Sequence, residues 1–487
     1  MVGLLVAAIL LVFLGDHAIA RVAEFSWQER TVGADNAAFV MVFNRPMKPR
    51  SVEANLTITP RLPGRVSWAG RRMAYTLDVP IPYGETFEVK LPKARDRFSQ
   101  DPADTQFEAF TGTFHSRDRA MAYIGTQGDE AGRLVLINFS QGGTPLLLTP
   151  PDLTVLDFEP YPLGDRLLFS AVKKTVAQAD TLTPVLYTVT TGLRPNPPDD
   201  WQGNQRNQLT STSEAAVLTR LLDSDVYQNL AFDLSPDGQV VVVQRVNKAD
   251  AQEFGLWILR EGDSPERLET EVGGEFLIGP DSQTLLMLQG QGTAVIPLAP
   301  DESETTTQQE PLDFLPKHGR IFDVSRDGSA AAMVDFNQND PERRFTESLE
   351  LVTNQGEEIE LLNTTGAIVS ARFDPTNEII YALASDLLSG EVYREQPFLM
   401  AVNLQTREPL KLLSLPPQAR VSMSLSPDGL AILMAVAVPS ETNAEGWTEQ
   451  MILLPLFATT EERLAGTPVQ TMPQVLPYSG LLATWLP

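Results

Sequence analysis

Leu234-Ser235-Pro236-Asp237-Gly238 stands between two apolar runs, Leu230–Leu234 and Val240–Val243, and the element returns along the chain. Close copies are Val324-Ser325-Arg326-Asp327-Gly328 and Leu425-Ser426-Pro427-Asp428-Gly429. Looser ones are Ile278-Gly279-Pro280-Asp281-Ser282, Phe373-Asp374-Pro375-Thr376-Asn377, Phe158-Glu159-Pro160 and Ser116-Arg117-Asp118-Arg119. Their third positions, 117, 160, 236, 280, 326, 375 and 427, are separated by roughly 43, 76, 44, 46, 49 and 52 residues, the period of propeller blades. Asp and Gly tolerate the backbone angles of a tight hairpin turn, so each copy joins two strands. A second strand pair follows, as at Phe254–Leu259 and Glu266–Leu268. Four strands cannot bury both faces alone, so each unit must pack on its neighbours and the row gains by closing into a ring. The long second step is explained by a polar insertion at about 193–214, LRPNPPDDWQGNQRNQLTSTSE. The expectation is an all-β chain with a propeller of about seven four-stranded blades over 114–487, six to eight being the range. The apolar segment Val475–Pro487 is expected to close it.

These S-P-D-G repeats resemble the TolB-like, WD-repeat-like propeller family, and the likeness covers about 370 residues. The resemblance implies a binding platform, although related propellers are fused to peptidases or carry glycosidase and lyase sites.

Upstream, Ala37–Phe43 alternates and stops before Pro46, which has no N–H for a strand ladder. Short strands follow near Asn55–Thr59, Arg65–Trp68, Met73–Leu77 and Thr86–Leu91, the pattern of a β-sandwich over 21–113. FVMVFNRPM, then ITP at Ile58–Pro60, GRVSW at Gly64–Trp68 and YGETFEVKL at Tyr83–Leu91 resemble the SbsA-type bacterial Ig-like domain. That family implies a non-catalytic spacer or adhesion module. Before it, Val2–Gly15 is an apolar run followed by Ala18-Ile19-Ala20, the form of a signal peptide with its cleavage site. About fourteen residues are few for a bilayer, which takes about twenty. Residues 1–20 are therefore expected to direct export to the periplasm or cell envelope, either cleaved or kept as a membrane anchor.

The 63 acidic against 37 basic residues leave a formal charge of −26, which disfavours nucleic acid and anionic membrane surfaces. Without cysteine there is no disulfide, thiolate site or cysteine nucleophile. Only His17, His115 and His318 occur. His17 lies in the leader, and His115 and His318 are expected on opposite propeller faces, so no Ser-His-Asp triad is assembled. No G-x-S-x-G elbow or P-loop is present. Asp233-x-Ser235-x-Asp237-Gly238 and Asp323-x-Ser325-x-Asp327-Gly328 superficially match a calcium loop, but Gln244 and Val334 stand where a bidentate glutamate is needed. They read as turns. No catalytic, metal or cofactor residue emerges, and the expectation is a monomeric, non-enzymatic extracytoplasmic protein that binds a protein or polysaccharide. Trp201, in the polar insertion, is the one candidate binding residue. The alternative is a carbohydrate-active or other hydrolytic propeller with carboxylates at the channel mouth.

Overall fold

The computed structural model describes residues 19–97, 107–174, 183–193, 214–271, 273–290, 292–298, 313–315, 319–390, 392–440 and 446–487. The leader through residue 18, Trp201 with most of its insertion, His17 and His318 lie outside the described residues. The chain divides into two compact units, Met1–Arg117 and Asp118–Pro487.

The first unit has two four-stranded sheets. One orders Val22–Phe25, Ala38–Phe43, Arg72–Leu77 and Gly64–Ala69. The other orders Thr31–Val32, Phe110–Ser116, Thr86–Leu91 and Thr57–Thr59. Alternation decides which side is dry: Phe39, Met41 and Phe43 are buried while Ala38, Val40 and Val42 are more open. The dry sides share one aromatic core, in which Phe87 stacks on Phe114 at 5.1 Å and Trp27 meets Phe39 edge-on at 5.4 Å.

The second unit is a propeller of seven four-stranded sheets. With strands a to d numbered outward from the channel, blade 3 is Tyr227–Leu234, Val240–Asn247, Phe254–Arg260 and Glu266–Leu268. Its b strand is apolar at every early position because both sides are covered. Val240 and Val242 pack with Leu285 and Met287 of blade 4. Val241 and Val243 pack with Tyr161 and Leu168 of blade 2. Seven such clusters fill the seven inter-blade spaces. The smallest lies between blades 4 and 5, around Ala331, Met333 and Val352.

Blade 1 is assembled from both ends of this unit. Ala120–Gly125, Leu134–Asn138 and Leu146–Leu147 are its b, c and d strands, and Gly480–Trp485 supplies a. Trp485 pairs with Met121, and its N–H donates to Ser424 Oγ of blade 7 at 3.0 Å. Ser116-Arg117-Asp118-Arg119 therefore differs from its expected role. It precedes a b strand, but the strand before it, Phe110–Ser116, belongs to the first unit, so it is no a–b hairpin.

The other six turns share one hydrogen-bond skeleton. The N–H groups of Tyr161, Ser235, Gly279, Ser325, Asp374 and Ser426 each donate to the carbonyl five residues on. Gly238 closes its turn at φ 72°, and Ser282 and Asn377 take the same left-handed region in the looser copies. This skeleton moves the blade 2 turn two residues along. Pro160-Tyr161-Pro162-Leu163-Gly164 is the copy of LSPDG, and Glu159 lies before it.

Candidate functional site

The common turn sets a common register on the innermost strands. Two residues before each first turn donor stand Glu159, Asp233, Leu277, Asp323, Arg372 and Ser424. In blade 1, Leu486 donates to the Ala120 carbonyl, which puts Thr484 at the same level. One residue per blade thus forms a layer around the channel, and four of the seven positions hold charged side chains. The a strands of blades 1, 2, 3, 5 and 6 carry a bulge at or before this position, a device that re-aims a side chain.

Four layer residues accept a hydrogen bond from the strand next door. Glu159 Oε2 accepts the Leu234 N–H at 2.8 Å, and Asp233 Oδ2 accepts that of Ile278 at 2.5 Å. Asp323 Oδ2 accepts the Phe373 N–H at 2.9 Å, as Ser424 does for Trp485. Thr484 has no such donor opposite because the next strand offers Pro160. These bonds tie neighbouring blades at the channel wall.

The electrostatics go beyond ties. Glu159, Asp233 and Asp323 are half-buried by area yet walled in by protein, the condition of a side chain facing a narrow channel. Burial and the negative charges of Asp233 and Asp157 push the Glu159 carboxyl well above its ordinary range, against the Leu234 N–H and Arg372. Burial also raises Asp233 to about 6, opposed by the Ile278 and Leu234 N–H groups, Arg372 and a side-chain hydrogen bond with Glu159. Asp323 is raised by burial and restrained by Arg372, whose guanidinium lies 3.6 Å from Oδ1. The Arg372 NH1 also donates to the Phe322 carbonyl at 2.9 Å. The layer therefore offers a protonated acid, a carboxylate that titrates near neutrality and one cation.

The sequence reading brings Asp233 and Asp323 forward only as first positions of the two calcium-loop look-alikes, and Glu159 only as part of a turn copy, with no channel role for any of them. Asp237 accepts from the Ser235 hydroxyl at 2.7 Å and the Gln239 N–H at 3.0 Å; Asp327 does the same with Ser325 and Ser329. Both carboxylates are spent inside their turns. His115 is exposed in the first unit, its Nδ1 2.9 Å from Thr86 Oγ1. Among the described residues no three His, Cys, Asp or Glu side chains are placed to hold a metal ion.

No family model matches this sequence, and no curated protein matches it. Solved structures do. An oligogalacturonate lyase in complex with manganese is 13% identical over 67% of this chain and 83% of its own, with a TM-score of 0.45. Prolyl oligopeptidase B from Galerina marginata is 9% identical over 88% of this chain at a TM-score of 0.44, and the chain spans about half of it, 52%. A puromycin hydrolase is 15% identical over 85% of this chain and 59% of its own, at 0.40. All three are enzymes, and the expectation of a non-enzymatic chain is withdrawn on that finding. No residue role or substrate is carried over from them.

Proposed function

We propose that the channel layer is the acid–base centre of a hydrolytic propeller enzyme acting on an uncharged, hydroxyl-rich substrate such as a polysaccharide. One observation carries this reading: Glu159 and Asp233, from adjacent blades, face each other as a carboxyl–carboxylate pair with raised pKa values. Two titratable groups at one spot whose environments differ supply an acid and a base at one pH. Glu159 gives its proton to the leaving oxygen as the bond to the substrate carbon breaks. Asp233 takes a proton from the water that forms the new bond. A proton then returns from Asp233 to the neighbouring Glu159, which restores the pair. The overall charge of −26 disfavours polyanionic substrates, hence the uncharged class. On this reading the N-terminal apolar run sends the chain to an extracytoplasmic compartment where polysaccharides lie.

The test is release of reducing ends from a panel of neutral oligo- and polysaccharides, with a peptide panel beside it. Glu159→Gln and Asp233→Asn should each lower turnover by about a hundredfold or more. Asp323→Asn neutralises the equivalent carboxylate outside the Glu159–Asp233 pair, keeps an acceptor for the Phe373 N–H, and should leave turnover within about threefold. No hydrolysis of any substrate by the wild-type chain would overturn the proposal, as would full activity in Asp233→Asn.

A further inference from the structure

The two units differ in charge. Residues 21–117 carry 14 Lys and Arg against 11 Asp and Glu, in a chain that totals 37 against 63. Charges act over about 8 Å at physiological salt, so a local excess decides more than the total. Within the first unit that excess lies at one end, where residues 19–21, 44–48 and 92–97 meet the turn at Arg71. The Asn44 N–H donates to the Arg21 carbonyl at 3.1 Å, and its Nδ2 to that of Ile19 at 2.8 Å. Arg71 NH1 donates to the Asn44 carbonyl at 3.2 Å. The Lys48 and Arg97 N–H groups donate to the Arg95 and Pro46 carbonyls, each at 2.8 Å.

Arg21, Arg71, Lys93, Arg95 and Arg97 are all exposed at this end. Of its acids, Asp96 is buried 3.3 Å from Arg45, and Glu108 lies 3.9 Å from Arg21. Lys93, Arg95 and Arg97 meet no carboxylate among the described residues. Asp101 and Asp104, which follow in the sequence, still leave the end positive. At the opposite end the cations are matched, Arg65 lying 2.8 Å from Asp78 and Arg117 3.6 Å from Asp35.

The course of the chain says what the basic end faces. The described residues start there, with Ile19 48% exposed, and the apolar run Val2–Gly15 ends four residues earlier. Four extended residues span about 14 Å at most, so a surface that takes up the run also comes within reach of these arginines. Lipid takes up an apolar run, and Lys and Arg beside a bilayer are drawn to its anionic headgroups.

We propose that this end of the first unit docks on an anionic phospholipid bilayer, with the apolar run in the same surface. The docking is independent of the channel carboxylates and of any turnover there. Partition of the full chain onto vesicles tests it, at lipid concentrations titrated to half binding. One set is phosphatidylcholine alone and the other carries about 30% phosphatidylglycerol. The wild type should prefer the anionic vesicles at least about a hundredfold at about 50 mM salt, and within about threefold at about 0.5 M. Arg71→Gln, Arg95→Gln and Arg97→Gln together should weaken anionic binding at least about thirtyfold and leave phosphatidylcholine binding unchanged. Arg61→Gln with Arg65→Gln, at the opposite end, should change neither. The proposal fails if the wild type partitions equally onto both vesicles, or if the triple variant binds the anionic ones as the wild type does. It fails equally if the opposite-end pair weakens binding as much as the triple variant. Saturable binding of soluble dextran sulfate that the triple variant loses, without any vesicle preference, would assign the end to a polyanion and overturn it too.

Discussion

Trp485→Ala tests how the propeller is closed. Trp485 ends the strand that blade 1 borrows from the C-terminal segment, and it is 4% exposed in the cluster between blades 7 and 1. Burying an indole removes about 200 Å² from water, and at about 25 cal/mol/Å² its loss costs about 4 kcal/mol after the alanine methyl is allowed for. The Arg119 guanidinium, 5.2 Å from the ring centroid, adds about 0.5–1 kcal/mol. Against this, the indole N–H is buried without a partner among the described residues, and removing it returns about 1–2 kcal/mol. The net expectation is a loss of about 3 kcal/mol, at the low end for aromatic-to-alanine changes in a core. Trp485→Phe keeps most of the ring and drops the orphaned donor, so it should cost about 1 kcal/mol or less. Urea unfolding followed by circular dichroism reads both, as a midpoint fall of about 1 M for alanine and a small fraction of that for phenylalanine. Deleting 480–487 exposes the edge of Ala120–Gly125 and should abolish cooperative unfolding of the larger unit. An alanine variant within about 0.5 kcal/mol of the wild type would refute this account of ring closure.

The raised Asp233 makes a pH prediction whose sign is opposite to that of a salt-bridged carboxylate. Its folded pKa of about 6 lies above the unfolded value near 3.8, so the folded state holds the extra proton between them. Stability from this group is complete below about 4 and is lost as pH rises through 6; Asp233→Asn should flatten that fall in urea midpoints measured from pH 4 to 7. Arg372→Met removes the cation beside Asp323 and should move the carboxyl titrations of the layer upward, read by NMR of side-chain carboxyl carbons; unchanged titrations would contradict the charge arrangement. Asp374 accepts the N–H groups of Glu378 at 2.7 Å and Ile379 at 2.8 Å, and Asp374→Ala should cost about 2–3 kcal/mol in urea unfolding, with Asn milder. Chelator treatment should leave the melting temperature unchanged, because the Asp237 and Asp327 carboxylates are occupied within their turns; a fall that calcium reverses would show otherwise.

The blades were legible in the sequence because a hairpin turn is a local object. Ser235, Asp237 and Gly238 satisfy one another's hydrogen bonds within five residues, so the same letters recur wherever the same turn is made. Continuous runs such as Val240–Val243 also announce strands covered on both sides. The channel layer had no such signature. Its members are one residue from each of seven strands, and their chemistry arises only when closure brings position 159 against position 233. A polar residue two places before a turn is visible as a letter, but whether it meets water, a backbone N–H or another carboxylate is decided across blades. Glu159 was further disguised by Pro160 and Pro162, either of which can stand for the proline of the turn; only the bond from the Tyr161 N–H to the Arg166 carbonyl settles the register.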